Sequence, residues 1–140
     1  MKSILWIDDE PVINDMGVLL LKKIGYKAKA LYGGIEALSI FGARPHAFDL
    51  VITDYMMPDM RGDELTRQIR EIRPDIPVAL CTGYAGIPAP VLTKWGIDAL
   101  LTKPYSVETA TRLVRNLLGE SGQNHKGKIV PGIIWPESCH

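Results

Sequence analysis

The strongest constraint on the fold is an alternation. Short apolar runs that end in polar residues take turns with longer segments of helical period. Residues 3–7 run into Asp8, Asp9 and Glu10. Residues 49–53 run into Asp54 and a loop that closes at Gly62. Residues 78–81 run into Thr82 and Gly83, and 99–101 into Thr102, Lys103 and Pro104. Between them, residues 11–23 carry Val12, Met16, Leu19 and Leu20 at helical spacing, and Gly25 fits a helix stop. Residues 35–41 read as a second helix closed by Gly42 and Pro45. Residues 63–73 read as a third, with Leu65, Ile69 and Ile72 on one side. A short fourth helix is predicted from the prolines at 88 and 90 to Trp95, stopped by Gly96. A last helix is predicted after the N-cap Ser106, with an apolar stripe at Val107, Ala110, Leu113, Val114, Leu117 and Leu118.

Five strands alternating with five helices predict an α/β fold, a parallel sheet covered by helices on both faces. Right-handed crossovers make it doubly wound. In residues 26–31 lysine alternates with alanine, so one face is wet and this second strand belongs at the sheet edge. It carries none of the polar strand ends, which the order 2-1-3-4-5 explains. Ligands of such sheets bind beyond the carboxyl ends of the strands, where the order reverses. Asp8, Asp9, Asp54, Thr82 and Lys103 all fall there.

The bulk numbers bound the partners. The 140 residues suit one domain, and 46% hydrophobic with 23% charged residues is the profile of a globular protein. Sixteen basic residues balance sixteen acidic ones, which argues against a nucleic-acid partner. No secretory signal is evident and no apolar stretch approaches the roughly 20 residues that span a bilayer. Two cysteines, Cys81 and Cys139, make no disulfide framework. A cytoplasmic location is therefore expected, with no membrane association.

Each polar strand end has an ordinary reading when taken singly. Asp8 or Asp9 could simply favour the start of the next helix, Lys103 could be solvated, and Thr82 could merely end its strand. Together they mean more. Three carboxylates meeting at one edge repel one another unless a cation joins them. Mg²⁺ suits such a set, because it takes a few carboxylates plus waters and phosphate oxygens. An aspartate can also act as a nucleophile and form an aspartyl-phosphate, and Lys103 supplies a compact charge for phosphate oxygens.

The set Asp8-Asp9-Glu10, Asp54 with Met57-Pro58 and Gly62 behind it, Thr82-Gly83 and Lys103-Pro104 resembles the receiver domain of two-component response regulators over residues 3–118. The resemblance implies a flavodoxin-like sheet. It implies that Asp54 accepts a phosphoryl group from a sensor histidine kinase or a phosphotransfer protein. Asp9, Asp54 and the backbone carbonyl of Met56 would ligate Mg²⁺, and Asp8 would act largely through water. Thr82 and Lys103 would bind the phosphoryl oxygens. Met56 and Tyr84 would flank the path of the water that removes the group. Such a domain is a signalling phosphoacceptor, assisting only its own phosphorylation and dephosphorylation.

One position departs from the family. The strand-five aromatic that usually stands three residues before the lysine is Leu100 here, so a polar-tipped ring cannot swing inward. An alternative reading is an Mg²⁺-dependent phosphohydrolase working through an aspartyl-phosphate. Such enzymes often place the nucleophile after the first strand with another Asp two residues on, whereas residue 10 is Glu. Residues 1–118 are expected to form the receiver unit and 119–140 a tail without a separate effector domain. Ile129, Val130, Ile133, Ile134 and Trp135 make the tail apolar enough to fold back or to mediate self-association, with the helix 4–strand 5–helix 5 face as the expected docking surface.

Overall fold

The computed structural model describes residues 1–84, 86–120 and 131–136. Five parallel strands are β1 (Ser3–Ile7), β2 (Lys27–Leu31), β3 (Leu50–Thr53), β4 (Val78–Thr82) and β5 (Ala99–Thr102). A sixth, β6 (Ile133–Ile134), pairs antiparallel to β5, and the sheet order is β2-β1-β3-β4-β5-β6. The helices are α1 (Pro11–Lys23), α2 (Gly34–Ala43), α3 (Gly62–Ile72), α4 (Ala89–Lys94) and α5 (Val107–Leu117). The predicted order 2-1-3-4-5 holds, and β2 lies at one edge with its lysines exposed. None of the helices among the described residues is long and apolar enough to cross a membrane.

The sheet's two faces carry separate cores. On one face Ile4, Trp6, Ile52, Cys81 and Leu101 pack against α1 and α5. On the other Leu5, Ile7, Val51 and Val78 pack against α2 and α3. Leu80 and Leu100 continue that second face beneath α4. Successive residues of each strand point to opposite faces, which is why every residue of the central β3 and β4 is apolar or threonine and buried.

Three features correct or extend the sequence reading. The sheet has six strands rather than five, because the tail returns to the free edge of β5. Leu100 and Leu101 stand opposite Ile134 and Ile133, and Thr102 donates its N–H to the Gly132 carbonyl at 2.8 Å. Ile129 and Val130 lie outside the described residues, as does Cys139. The periodicity of α1 is helical, but the helix turns three of the apolar side chains that carry it outward: Val12 is 70% exposed, Met16 62% and Leu19 56%. It buries Asn14, Gly17 and Leu21 instead. Gly17 explains the choice, since a Cβ there would lie 2.7 Å from the Trp6 ring; the helix can approach that indole only through a residue with no side chain. Ile72 and Val107 are likewise exposed at their helix ends.

The remaining helix signals are met. Ser106 caps α5, its Oγ accepting the Thr109 N–H at 3.0 Å. Pro88 and Pro90 fall at the start of α4, and Gly96, with φ +76°, follows its end.

Candidate functional site

Backbone pairing brings the polar strand ends together. Asp54 N–H donates to the Ile7 carbonyl at 2.8 Å, which sets the end of β3 beside Asp8. Lys103 N–H donates to the Thr82 carbonyl at 2.9 Å, which ties the end of β5 to that of β4. Asp8 is fully buried, Asp54 nearly so, and Asp9 half-buried. One carboxylate oxygen from each of Asp8, Asp9 and Asp54 lies within 4.8 Å of the others. Lys103 Nζ bridges two of them, at 2.7 Å from Asp8 Oδ2 and 3.6 Å from Asp54 Oδ1.

Each group is held by its neighbours. Asp8 Oδ1 accepts the Glu10 N–H at 3.0 Å. Asp54 Oδ1 accepts the N–H of Tyr55 at 2.8 Å. Gly62 opens α3 against the backbone of Asp54: its N–H donates to the Tyr55 carbonyl at 2.7 Å, and an added Cβ would overlap the Asp54 carbonyl oxygen. Glycine at 62 is therefore a condition for the loop after Asp54 to close onto α3. Thr82 is buried, and its Oγ1 accepts the Tyr84 N–H at 3.1 Å. Met56, two residues after Asp54, is exposed, and Met57 is buried in the core against α2 and α3.

The electrostatics follow from burial and like charge. Burial is the largest influence on Asp54 and pushes its carboxyl up to about 6. The charges of Asp8 and Asp9 add to the rise, while Lys103 and the Tyr55 N–H oppose it. Burial alone would lower the Lys103 ammonium. The hydrogen bond to Asp8 and the charges of Asp54 and Asp8 outweigh that, and the net direction is upward. Lys103 is firmly cationic, and one lysine offsets only part of three carboxylates. A hard divalent cation fits this donor set: all three are oxygen ligands, and added positive charge relieves the repulsion that raises Asp54.

Sequence reasoning missed two contributors. Asn14 is fully buried, and its amide donates to the Asp8 carbonyl at 3.2 Å and to the Leu31 carbonyl. It fixes the start of α1 against the ends of β1 and β2. The signal was an amide where α1 would otherwise bury an apolar residue. The second is an aromatic stack: Tyr84 lies 5.8 Å from Tyr55, and Tyr55 lies 5.6 Å from Trp95, ring centroid to centroid. Nothing in local spacing brings residues 55, 84 and 95 together, because the ends of β3 and β4 and the end of α4 do it.

Residues 4–115 match the response regulator receiver domain family. The chain belongs to that family. It is 33% identical over 122 residues to the probable transcriptional regulatory protein TcrX of Mycobacterium tuberculosis, covering 86% of this chain and 51% of TcrX. It is 32% identical over 122 residues to the sensor kinase CckA of Brucella abortus, covering 83% of this chain and 12% of CckA. This receiver thus spans about half the length, or much less, of these curated relatives. Among solved structures it resembles the response regulator TrrA of Thermotoga maritima, in complex with Mg²⁺ and beryllofluoride. The TM-score is 0.77 at 33% identity, covering 84% of this chain and 100% of TrrA. The protein is a receiver domain of two-component signal transduction with a flavodoxin-like fold, and the phosphohydrolase alternative has no support. Receivers of this family bind Mg²⁺ at an acidic pocket and are phosphorylated by sensor kinases.

Proposed function

We propose that Asp54 is the phosphoacceptor, and one observation carries the assignment. It is the one carboxylate of the acidic trio that ends the central strand β3, and it lies beside Lys103, which reaches both it and Asp8. A carboxylate oxygen of Asp54 attacks the phosphorus of a phosphohistidine on a sensor kinase or phosphotransfer protein. The P–O bond forms as the P–N bond breaks, and the departing imidazole nitrogen keeps the bonding electrons. Lys103 and Thr82 then hold phosphoryl oxygens, the lysine as a point charge and the threonine as a hydroxyl donor.

Asp9, Asp54 and the Met56 carbonyl are the proposed Mg²⁺ ligands, with Asp8 acting through water. The bound cation supplies charge neutralisation as negative oxygens arrive. By resemblance to the family, Met56 and Tyr84 would flank the path of the hydrolytic water. Met56 is apolar and exposed and Tyr84 is bulky, so neither orients water as a carboxamide or carboxylate would. The phosphoryl group is therefore long-lived.

The outward face of α1 supports a place for the phosphodonor protein. Met16, Leu19 and Leu20 line a groove of about 590 Å³ with Pro104, Tyr105 and Val107. Lys103 lines the same groove, so a helical partner seated there would bring its histidine toward Asp54. We assign this docking to the kinase or phosphotransfer protein, residues 1–118 to the receiver unit and residues 119–140 to its tail. Neither nucleic acid nor membrane is a partner of this unit, and its place is the cytoplasm. Self-association would use the tail or the α4–β5–α5 face.

Incubation with acetyl phosphate and Mg²⁺, read by intact mass, tests the central assignment. One phosphoryl mass is expected on the parent and none on Asp54→Asn. Equal labelling of that variant would reject Asp54.

A further inference from the structure

We propose that the stack of Tyr84, Tyr55 and Trp95 carries the phosphorylation state of Asp54 to α4. This takes the place of the missing strand-five aromatic and rests on Asp54 as phosphoacceptor. The position where the family keeps its swinging ring is closed here. Leu100 is 1% exposed, packs with Leu80 and Leu92, and stands opposite Ile134 of β6. A buried aliphatic residue covered by a neighbouring strand has no polar tip and no open path to solvent.

The stack starts at the two groups that sense phosphate. Asp54 Oδ1 accepts the Tyr55 N–H, and Thr82 Oγ1 accepts the Tyr84 N–H. Once Asp54 is an acyl phosphate, Oδ1 faces Tyr55 as a neutral carbonyl or as a bridging oxygen, in either case a weaker acceptor than a carboxylate. A Thr82 hydroxyl that turns to donate to a phosphoryl oxygen gives up its present alignment with Tyr84. One event therefore loosens the backbone of both tyrosines.

The rings carry the change onward. Tyr84 and Tyr55 are tilted by 39° at 5.8 Å, and Tyr55 and Trp95 are nearly parallel, at 26° and 5.6 Å. Arg61 lies over the other reach of the Tyr55 ring, 6.0 Å from its centroid. Trp95 is the residue at which α4 ends, with its N–H bonded to the Val91 carbonyl. Tyr84 is 55% exposed and sits over Gly86, where an added Cβ would come within 3.2 Å of its hydroxyl. The outer ring is thus free to move, while Tyr55 and Trp95 are half-buried against Leu80 and Leu100.

The test uses the full chain, ¹⁵N-labelled, with Mg²⁺ and the phosphoryl mimic beryllofluoride. Two-dimensional NMR follows the Trp95 indole N–H, assigned with Trp95→Phe, and the amides of residues 89–94. Parent protein should show both sets shifting on addition of the mimic. Tyr55→Leu keeps apolar bulk but breaks the stack at its centre, and it should lose those shifts; Tyr55→Phe keeps the ring and should retain them. Acetyl phosphate labelling by intact mass is run on each protein. Shifts that persist in Tyr55→Leu, or that are absent from a parent that does take one phosphoryl mass, overturn the relay alone. A parent that takes no phosphoryl mass overturns the phosphoacceptor reading and the relay with it.

Discussion

Replacing Asp54 with Asn should stabilise the metal-free protein at neutral pH. The carboxyl of Asp54 rises from 3.8 to about 6 on folding, chiefly through burial, with Asp8 and Asp9 adding to the rise. The sign follows from where the proton sits. Below pH 4 the group is protonated in both states and contributes nothing. Between about 4 and 6 the unfolded chain ionises first, so the native state loses ground. Above about pH 6 both states are ionised and the native state carries the whole penalty. A rise from 3.8 to about 6, at 1.36 kcal/mol per pH unit, is about 3 kcal/mol. Because the carboxylate keeps some access to water, about 2–3 kcal/mol is the realistic range. Asn keeps the shape and removes the charge, and Lys103 retains Asp8 at 2.7 Å.

Urea denaturation in EDTA from pH 4 to 8 reads this directly. Parent and Asp54→Asn should coincide near pH 4 and separate as pH rises through 6. The plateau of about 2–3 kcal/mol corresponds to roughly 5–10 °C in melting temperature. Saturating Mg²⁺ should then close most of the gap, since ligand at a hundred times its Kd adds about 2.7 kcal/mol to the parent. If the variant is no more stable than the parent at pH 7.5 in EDTA, the three carboxylates are not in conflict and the case for a cation there loses its electrostatic basis.

Three further outcomes are expected. Asp9→Ala should weaken Mg²⁺ binding by at least tenfold in calorimetric titration, because it leaves too few protein oxygens to compete with water; unchanged affinity would remove Asp9 from the coordination sphere. Met56→Asn combined with Tyr84→Glu should shorten the lifetime of the phosphoryl group, followed by mass after excess acetyl phosphate is removed, and a lifetime equal to the parent's would show that these side chains do not govern the water. Truncation after Leu118 should cost about 2–4 kcal/mol in urea denaturation, since Ile133 is buried and Ile134 and Trp135 are partly so; equal stability would mean that β6 contributes no net binding to the β5 edge.

Much of this was legible in the sequence because it is written in local pattern. Strands that end in polar residues, lysines alternating with alanines at the edge, Ser106 before an amphipathic run and Gly96 after a short one each act within a few residues. The acidic set was readable for a related reason: a doubly wound sheet brings all its strand ends to one side, so chemistry that recurs at those ends must converge. What was not legible depends on contacts between distant segments. The helical period of α1 was clear, but the face it buries is decided by Trp6 pressing against Gly17. Periodicity weighs side chains and has no way to weigh the absence of one. The apolar tail was expected to fold back or self-associate at the α4–β5–α5 face, and it does return to β5; that it does so as a strand was hidden, because two isoleucines after Pro131 and Gly132 are too short to declare one.

The burial of Gly17 and the strand formed by the tail bear on the same question, which is where this receiver is open to partners. Turning α1 around Gly17 leaves Met16 and Leu19 facing outward beside Pro104 and Val107, on the Lys103 side of the molecule. Closing the β5 edge with Ile133 and Ile134 covers Leu100, on the opposite face of the sheet from α1 and α5. The proposed docking surface and the β5 edge therefore differ in kind. One is apolar and open, suited to a protein that must arrive and leave. The other is filled by the chain's own tail, so a change at Asp54 meets least resistance through the exposed ring of Tyr84. If phosphorylation moved β6 instead, the Thr102 amide that bonds to Gly132 would lose its protection from hydrogen exchange on addition of beryllofluoride. With the aromatic relay in operation, that amide stays protected while those of α4 change.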